Sequence, residues 1–248
     1  PPPPPLFFFH PHSATPDPLW SRGLGDVYKR QVLNSINSSC QQANINANKV
    51  SLIAVSKRKS IENIQNAVDI GIKNFGENYA QELSEKNKLL NSDIISWHFI
   101  GPLQSNKVKL IADSASWIHT LDREKIIVKL NEACNTFNKT INGLIQINIS
   151  KEKTKNGCNP DQMLYLADLV ESASNINLRG IMALPNINAN ASDKETEMRE
   201  IIDLSKKLQK KYPHASEISM GTTNDFEEAI VYGSTMVRIG ELIFGKRT

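Results

Sequence analysis

Lys57 stands at the end of an apolar run. Leu52 to Val55 are four apolar side chains in succession, with Ser51 before them and Ser56 after. Such a run reads as a strand buried on both faces, the pattern of a parallel sheet covered by helices. If the sheet closes into a barrel, a residue just past the C-terminal end of a strand faces the mouth, where active sites are built. A lysine there is a candidate for Schiff-base chemistry, because partial desolvation lowers an amine's pKa from about 10.4 and frees its lone pair. The competing reading is a solvated loop, which the adjoining Arg58 and Lys59 fit.

Other polar and glycine residues fall at corresponding places after apolar runs. They are Gly76-Glu77-Asn78, His98 with Gly101, His119-Thr120, Asn148 with Ser150, Met182 to Leu184, Gly221-Thr222-Thr223, and Arg238 with Gly240. The last two groups have the make-up of a phosphate site, since glycines allow close backbone approach and hydroxyls and N–H groups donate to the oxygens. Barrels often bind phosphate in the loops after strands seven and eight. A lysine amine at strand one together with that cradle points to pyridoxal 5′-phosphate. Each of these residues also has a structural reading. Arg238 fits a core arginine paired with a carboxylate, and Asn78 fits a helix cap. His98 and His119 have no third ligand at metal-binding spacing, so they read as core or rim histidines, and no metal site is expected.

The elements that must carry these residues alternate along the chain. Eight strands are expected, around SLIAV, KNFG, WHFIG, SWIHTL, GLIQINIS, LRGIMAL, EISMG and TMVRIG. Helical patterns separate them. Ile61, Ile64, Ala67 and Ile70 recur at helical spacing after Ser60, which has N-cap chemistry. Asp122 is expected to cap the helix holding Ile126, Ile127 and Leu130. Further helices are expected from about Tyr79 to Leu90, from Pro160 to Ser174, from Asp193 to Tyr212 and from Asp225 to Tyr232. Alternation at this spacing implies βαβ units and one parallel sheet, and eight units fit a single (β/α)8 TIM barrel. A doubly wound open sheet fits less well, because no GxGxxG follows the first strand.

Eight of the 12 prolines precede residue 20, and residues 1–31 show no amphipathic period. The segment is expected to be a non-native disordered leader, with the barrel occupying residues 32–248. A weak helical pattern over Val32 to about Asn44 opens the barrel. The formal net charge of +3 argues against a nucleic-acid partner. No apolar run approaches the ~20 residues that cross a bilayer, which argues against a membrane protein. Three widely spaced cysteines, Cys40, Cys134 and Cys158, read as free thiols in a reducing cytoplasm. Lys151, Lys153 and Lys155 read as a solvated basic loop.

The segments AVSK, FGENYAQE, WHFIGPLQSNK, IQINIS, RGIMALP, SMGTTNDFEEAI and GSTMVRIGELIFG, in this order, resemble the pyridoxal-phosphate homeostasis proteins. The resemblance runs from about residue 50 to 245. These proteins look like the N-terminal barrel of alanine racemase, standing alone. The resemblance implies that Lys57 forms the internal aldimine with pyridoxal phosphate and that Arg238 faces the pyridine nitrogen. It places Ser219, Thr223, Gly240 and the N–H of Glu241 around the phosphate, with Asn78 near the ring. Thr222-Thr223 departs from the family's usual Met-Ser but keeps the hydroxyl.

Those implied places lead to an expected function. An arginine beside the ring nitrogen does not give up its proton, so the nitrogen stays neutral and the cofactor is a weak electron sink. Racemisation would also need a second acid/base group on the opposite face of the substrate, which racemases take from an additional domain. The expectation is therefore a monomeric carrier that holds pyridoxal phosphate and hands it to apo-enzymes, with no catalytic residues assigned. A small amino-acid racemase using Tyr79 or His98 is the first alternative, and a phosphate-binding barrel enzyme without this cofactor is the second.

Overall fold

The computed structural model describes residues 19–150, 156–186 and 189–245. The lysine-rich loop read at 151–155 and residues 1–18 of the leader lie outside the described residues. Eight strands alternate with helices: β1 (Ser51–Val55), β2 (Asn74–Glu77), β3 (Ser96–Phe99), β4 (Trp117–Leu121), β5 (Ile141–Ile147), β6 (Ile176–Ala183), β7 (Glu217–Thr222) and β8 (Met236–Ile239). Every neighbouring pair is parallel, and β8 pairs with β1 through Leu52↔Val237 and Ile53↔Arg238, which closes the barrel. The expected (β/α)8 architecture is the one observed, and the open doubly wound sheet is excluded by that closure.

Helix α1 (Leu19–Gln42) crosses the boundary that composition placed between residues 31 and 32. Among its described side chains, Val32, Ile36 and Cys40 are buried, at four-residue spacing along one face. The outer ring continues with α2 (Ile61–Asp69), α3 (Ala80–Leu90), α4 (Val108–Ser114), α5 (Glu124–Thr136), α6 (Met163–Glu171), α7 (Ala191–Lys211) and α8 (Phe226–Tyr232). A short α9 (Glu241–Phe244) follows β8. Ser60 caps α2 as expected, its side chain accepting from the N–H of Asn63 at 3.2 Å. Asp122 does not cap α5. The helix starts one residue later, at an N-cap Arg123 with no side-chain cap bond, and Asp122 instead holds the Arg123 guanidinium at 2.5 Å.

Period-two alternation divides each strand between two environments. Phe75, Trp97, Phe99, Ile118 and Val237 face the helices and join the main core. Ile53, Leu144, Met182 and Met236 form a separate apolar cluster, with Trp117 packed on it. These belong to strands β1, β5, β6 and β8, so the cluster fills the barrel's interior as a packed layer. Of the polar residues on the same face of these strands, Arg238 reaches the mouth, while His98, His119 and Ser219 stay in the interior. No helix among the described residues is long and apolar enough to cross a membrane.

Candidate functional site

The C-terminal ends of the strands surround a cavity of about 700 Å³. Six of the seven residues assigned to a site from the sequence line it: Lys57, Asn78, Thr223, Arg238, Gly240 and Glu241. They lie up to 184 positions apart in the chain (57 to 241) and meet because closure sets β8 beside β1. The apolar part of the wall is Val55, Ile100, Met182 and Leu184.

Lys57 sits in a turn that α3 grips on both sides. The ammonium of Lys86 donates to the carbonyl of Ser56 at 2.7 Å, and the N–H of Arg58 donates to Glu82 Oε1 at 2.5 Å. Lys59 N–H closes the turn onto the same Ser56 carbonyl at 3.0 Å. Arg58 has φ +60°, a left-handed conformation that costs a non-glycine residue about 1–2 kcal/mol. The clamp holds this strained backbone immediately beyond the lysine. Lys86 in turn pairs with Glu77 and Glu82, each at 2.7 Å, and Ser56 Oγ donates to Glu77 at 2.6 Å. Glu77 is fully buried, and burial raises its pKa while the Lys86 ammonium pulls it back down. Because Glu77 precedes Asn78, one buried ion pair fixes two walls of the cavity. Gly101 completes this corner, since a Cβ there would overlap the Asn78 carbonyl oxygen.

Arg238 enters the cavity from the strand next to β1. Its guanidinium donates to Ser219 Oγ and to the carbonyl of Ala183, the latter at 3.2 Å. Both partners are neutral, so the expected alternative of a core arginine paired with a carboxylate is not what the described residues show. Burial lowers the pKa of Arg238 to about 10, with Asp225 acting in the opposite direction. Arg238 thus remains a cation and a donor at neutral pH.

Ser219 is the exception among the seven. It does not line the cavity; it is completely buried inside the barrel, between Arg238 and His119. Position along β7 accounts for this: Ser219 lies in mid-strand, two residues before Gly221, with its side chain on the interior face. His98 and His119 are core histidines, joined Nδ1 to Nε2 at 2.9 Å. Burial drives the His98 pKa down to about 3 and that of His119 well below the ordinary value.

In the loop after β7, beside Arg238, Asp225 accepts from the N–H and the hydroxyl of Thr222 at 2.6 and 2.8 Å. That commits the Thr222 hydroxyl proton and orients the turn so that Thr223 also lines the cavity. Gly240 keeps the facing strip narrow, since a Cβ there would lie 3.1 Å from the Val55 carbonyl oxygen. Lys59, read from the sequence as loop, also lines the cavity, with its ammonium held by the carbonyls of Phe244 and Gly245 at 3.0 and 3.4 Å. Its distance from a strand end hid it, and only the return of the chain after β8 reveals its role.

A sequence model of the alanine racemase N-terminal domain matches residues 33–248. The chain belongs to that family. The pyridoxal phosphate homeostasis protein of Haemophilus influenzae is 45% identical over 220 residues, covering 87% of this chain and 93% of the relative. A protein of unknown function from Bifidobacterium adolescentis has a crystal structure that superposes with a TM-score of 0.85 at 28% identity, covering 93% and 98% of the two chains. PipY from Synechococcus elongatus, solved with PLP bound, superposes with a TM-score of 0.74 at 25% identity, covering 86% and 100%. In this family the mouth of the barrel is the natural place to look for a ligand, and here it is lined by an amine, a buried guanidinium and hydroxyls.

Proposed function

We propose that this chain binds pyridoxal phosphate in the barrel mouth and releases it to apo-enzymes, buffering a reactive aldehyde without substantial turnover of its own. The observation that carries the reading is the meeting of Lys57, Arg238, Thr223 and Gly240 in one cavity. The donor set fits the group: an amine for the aldehyde, a buried donor for the ring nitrogen, and a hydroxyl with close glycine backbone for the phosphate. The homeostasis relatives and PLP-bound PipY support it. When bound, the group supplies an electrophilic aldehyde and a ring able to accept electron density.

The chain's own residues divide the work. Lys57 would supply the amine that meets the aldehyde. Arg238 donates to the ring nitrogen and cannot accept a proton from it. Thr223, Gly240 and the N–H of Glu241 hold the phosphate, and Asn78 lies against the ring. The two side chains considered as a second acid/base group for racemisation, Tyr79 and His98, are poorly placed for it. Tyr79 is about half exposed and does not line the cavity, and His98 is buried and bonded to His119. Three buried free thiols fit a reducing cytoplasm, and we take the working form to be a monomer.

The test is optical. Mixing the protein with pyridoxal phosphate should give a visible absorption band that Lys57→Ala abolishes, and gel filtration of the loaded protein should give one 27.7 kDa species. D- or L-alanine should not be racemised. A Lys57→Ala variant that keeps the band sinks the assignment of the lysine. Racemisation at on the order of 1 per second or faster sinks the carrier reading.

A further inference from the structure

A line of polar side chains, buried except for its last member, crosses the inside of the barrel from the cavity wall to the opposite end. It runs from Arg238 on β8 to Ser219 on β7, His119 on β4, His98 on β3 and Asn74 at the start of β2. Ser219 Oγ lies 2.9 Å from His119 Nδ1, His119 Nε2 lies 2.9 Å from His98 Nδ1, and His98 Nε2 lies 3.3 Å from Asn74 Oδ1. Arg238 Nη1 bonds Ser219 Oγ at the upper end. Trp117 stacks on the His98 ring, 5.5 Å between centroids and 8° from parallel, which fixes its plane.

The direction of every bond follows from counting hydrogens. Arginine has only donors, so Ser219 accepts from Arg238. The one hydroxyl hydrogen of Ser219 is buried and needs an acceptor, and its remaining partner among the described residues is His119 Nδ1. His119 therefore accepts at Nδ1 and carries its hydrogen on Nε2, which donates to His98 Nδ1. His98 then carries its hydrogen on Nε2, facing Asn74 Oδ1. Each group uses one donor and one acceptor, and no two hydrogens face each other. A second proton on either ring would break that sequence, and burial opposes the charge at both. In the reverse direction Ser219 would accept from both Arg238 and His119, and its own buried hydroxyl hydrogen would face no acceptor among these partners.

We propose that Ser219, His119 and His98 are positioning residues for Arg238, forming a one-way hydrogen-bond chain that ties its guanidinium to the barrel interior and leaves its remaining donors for the ligand. With Nη1 committed to Ser219 and Nη2 to the Ala183 carbonyl, the guanidinium is fixed in the cavity wall. The ligand atom that meets it must be a pure acceptor. An unprotonated heteroaromatic nitrogen satisfies that requirement and a protonated one does not. Only this last step rests on the cofactor reading; the chain of bonds stands without it.

Two measurements separate the two. Long-range 1H–15N spectra of the full chain without ligand, near neutral pH, should show both imidazoles neutral with hydrogen on Nε2. A hydrogen on Nδ1, or an imidazolium, at either ring overturns the proposal, and this needs no variant. Next, affinities for pyridoxal phosphate and for inorganic phosphate are compared in His119→Phe and His119→Asn. The phenylalanine removes the acceptor for Ser219, and pyridoxal phosphate should bind on the order of tenfold more weakly. The asparagine offers an amide oxygen in place of Nδ1 and should recover part of that loss. Inorganic phosphate, held by the loop after β7 and the turn after β8, should bind all three proteins alike. Undiminished pyridoxal phosphate affinity in His119→Phe overturns the link to Arg238. A wild type that takes phosphate but not pyridoxal phosphate sinks the cofactor reading instead, and the tautomers then decide the chain alone.

Discussion

The Lys86 ammonium lies 2.7 Å from the carbonyl oxygen of Ser56, the residue immediately before Lys57. A buried cation on α3 therefore sets the backbone from which the Lys57 side chain projects. Its other partners, Glu77 and Glu82, make it the centre of a small ionic cluster that is only 5% exposed at Lys86 and fully buried at Glu77.

Lys86→Met should cost about 3–5 kcal/mol, because removing one member of a buried pair strands the other. Adding Glu77→Leu removes the stranded carboxylate, and the double variant should recover most of that stability. It should not recover the rate at which borohydride traps pyridoxal phosphate on Lys57, since the Ser56 carbonyl still lacks its clamp. Urea unfolding measures the first effect and trapping kinetics the second. Full recovery of both would reduce Lys86 to a stability residue.

Two lysines line the cavity, and trapping should tell them apart. Borohydride reduction followed by peptide mapping should label Lys57 and leave Lys59 unlabelled. The Lys59 ammonium is spent on the carbonyls of Phe244 and Gly245 at the end of α9. Label on Lys59, or on Lys107 in the loop before α4, would move the attachment point.

Acid should destabilise the protein through its two buried histidines. His98 titrates near 3 when folded and His119 well below its ordinary value, whereas both return to about 6.5 on unfolding. Below about pH 6.5 the unfolded chain binds protons that the folded chain refuses, so stability present above that pH is lost as pH falls toward 3. Each histidine contributes a slope of about 1.4 kcal/mol per pH unit in that window. Denaturant midpoints between pH 7 and pH 5 should fall steeply in the wild type and about half as steeply from this source in His119→Asn. Equal slopes would mean that the rings are not held neutral.

Much of this was legible in the sequence, for identifiable reasons. Apolar runs closed by polar strand ends gave the eight strands, because a parallel sheet covered on both faces leaves little other pattern. Of the seven residues assigned at those ends, six line the cavity. What stayed hidden depends on cross-strand geometry. The His98–His119 pair forms because β3 and β4 are neighbours with both side chains turned inward, and spacing along the chain carries no trace of that. Ser219 was assigned to the phosphate corner, yet its mid-strand position turns it toward the interior. Asp122 looked like a helix cap, but Arg123 beside it competes for the carboxylate. The start of α1 at Leu19 lies inside a segment whose proline-rich composition argued against any regular structure.

That last disagreement gives a test of where the stable domain begins. On the described side chains, α1 starts to bury apolar surface at Val32, followed by Ile36 and Cys40, with 3%, 3% and 1% exposure. Arg30 and Gln31 are exposed. Most helix stability in proteins comes from packing an apolar face, and the described face of α1 that packs begins at Val32. Deleting residues 1–31 should therefore change stability by less than about 0.5 kcal/mol and leave pyridoxal phosphate affinity unchanged. Ile36→Ala should cost about 2–5 kcal/mol, since it opens a cavity between α1 and the barrel. Thermal unfolding of the two variants beside the full chain decides the matter. A loss above about 2 kcal/mol on deletion, comparable to a core truncation, would show that the turns from Leu19 onward belong to the domain.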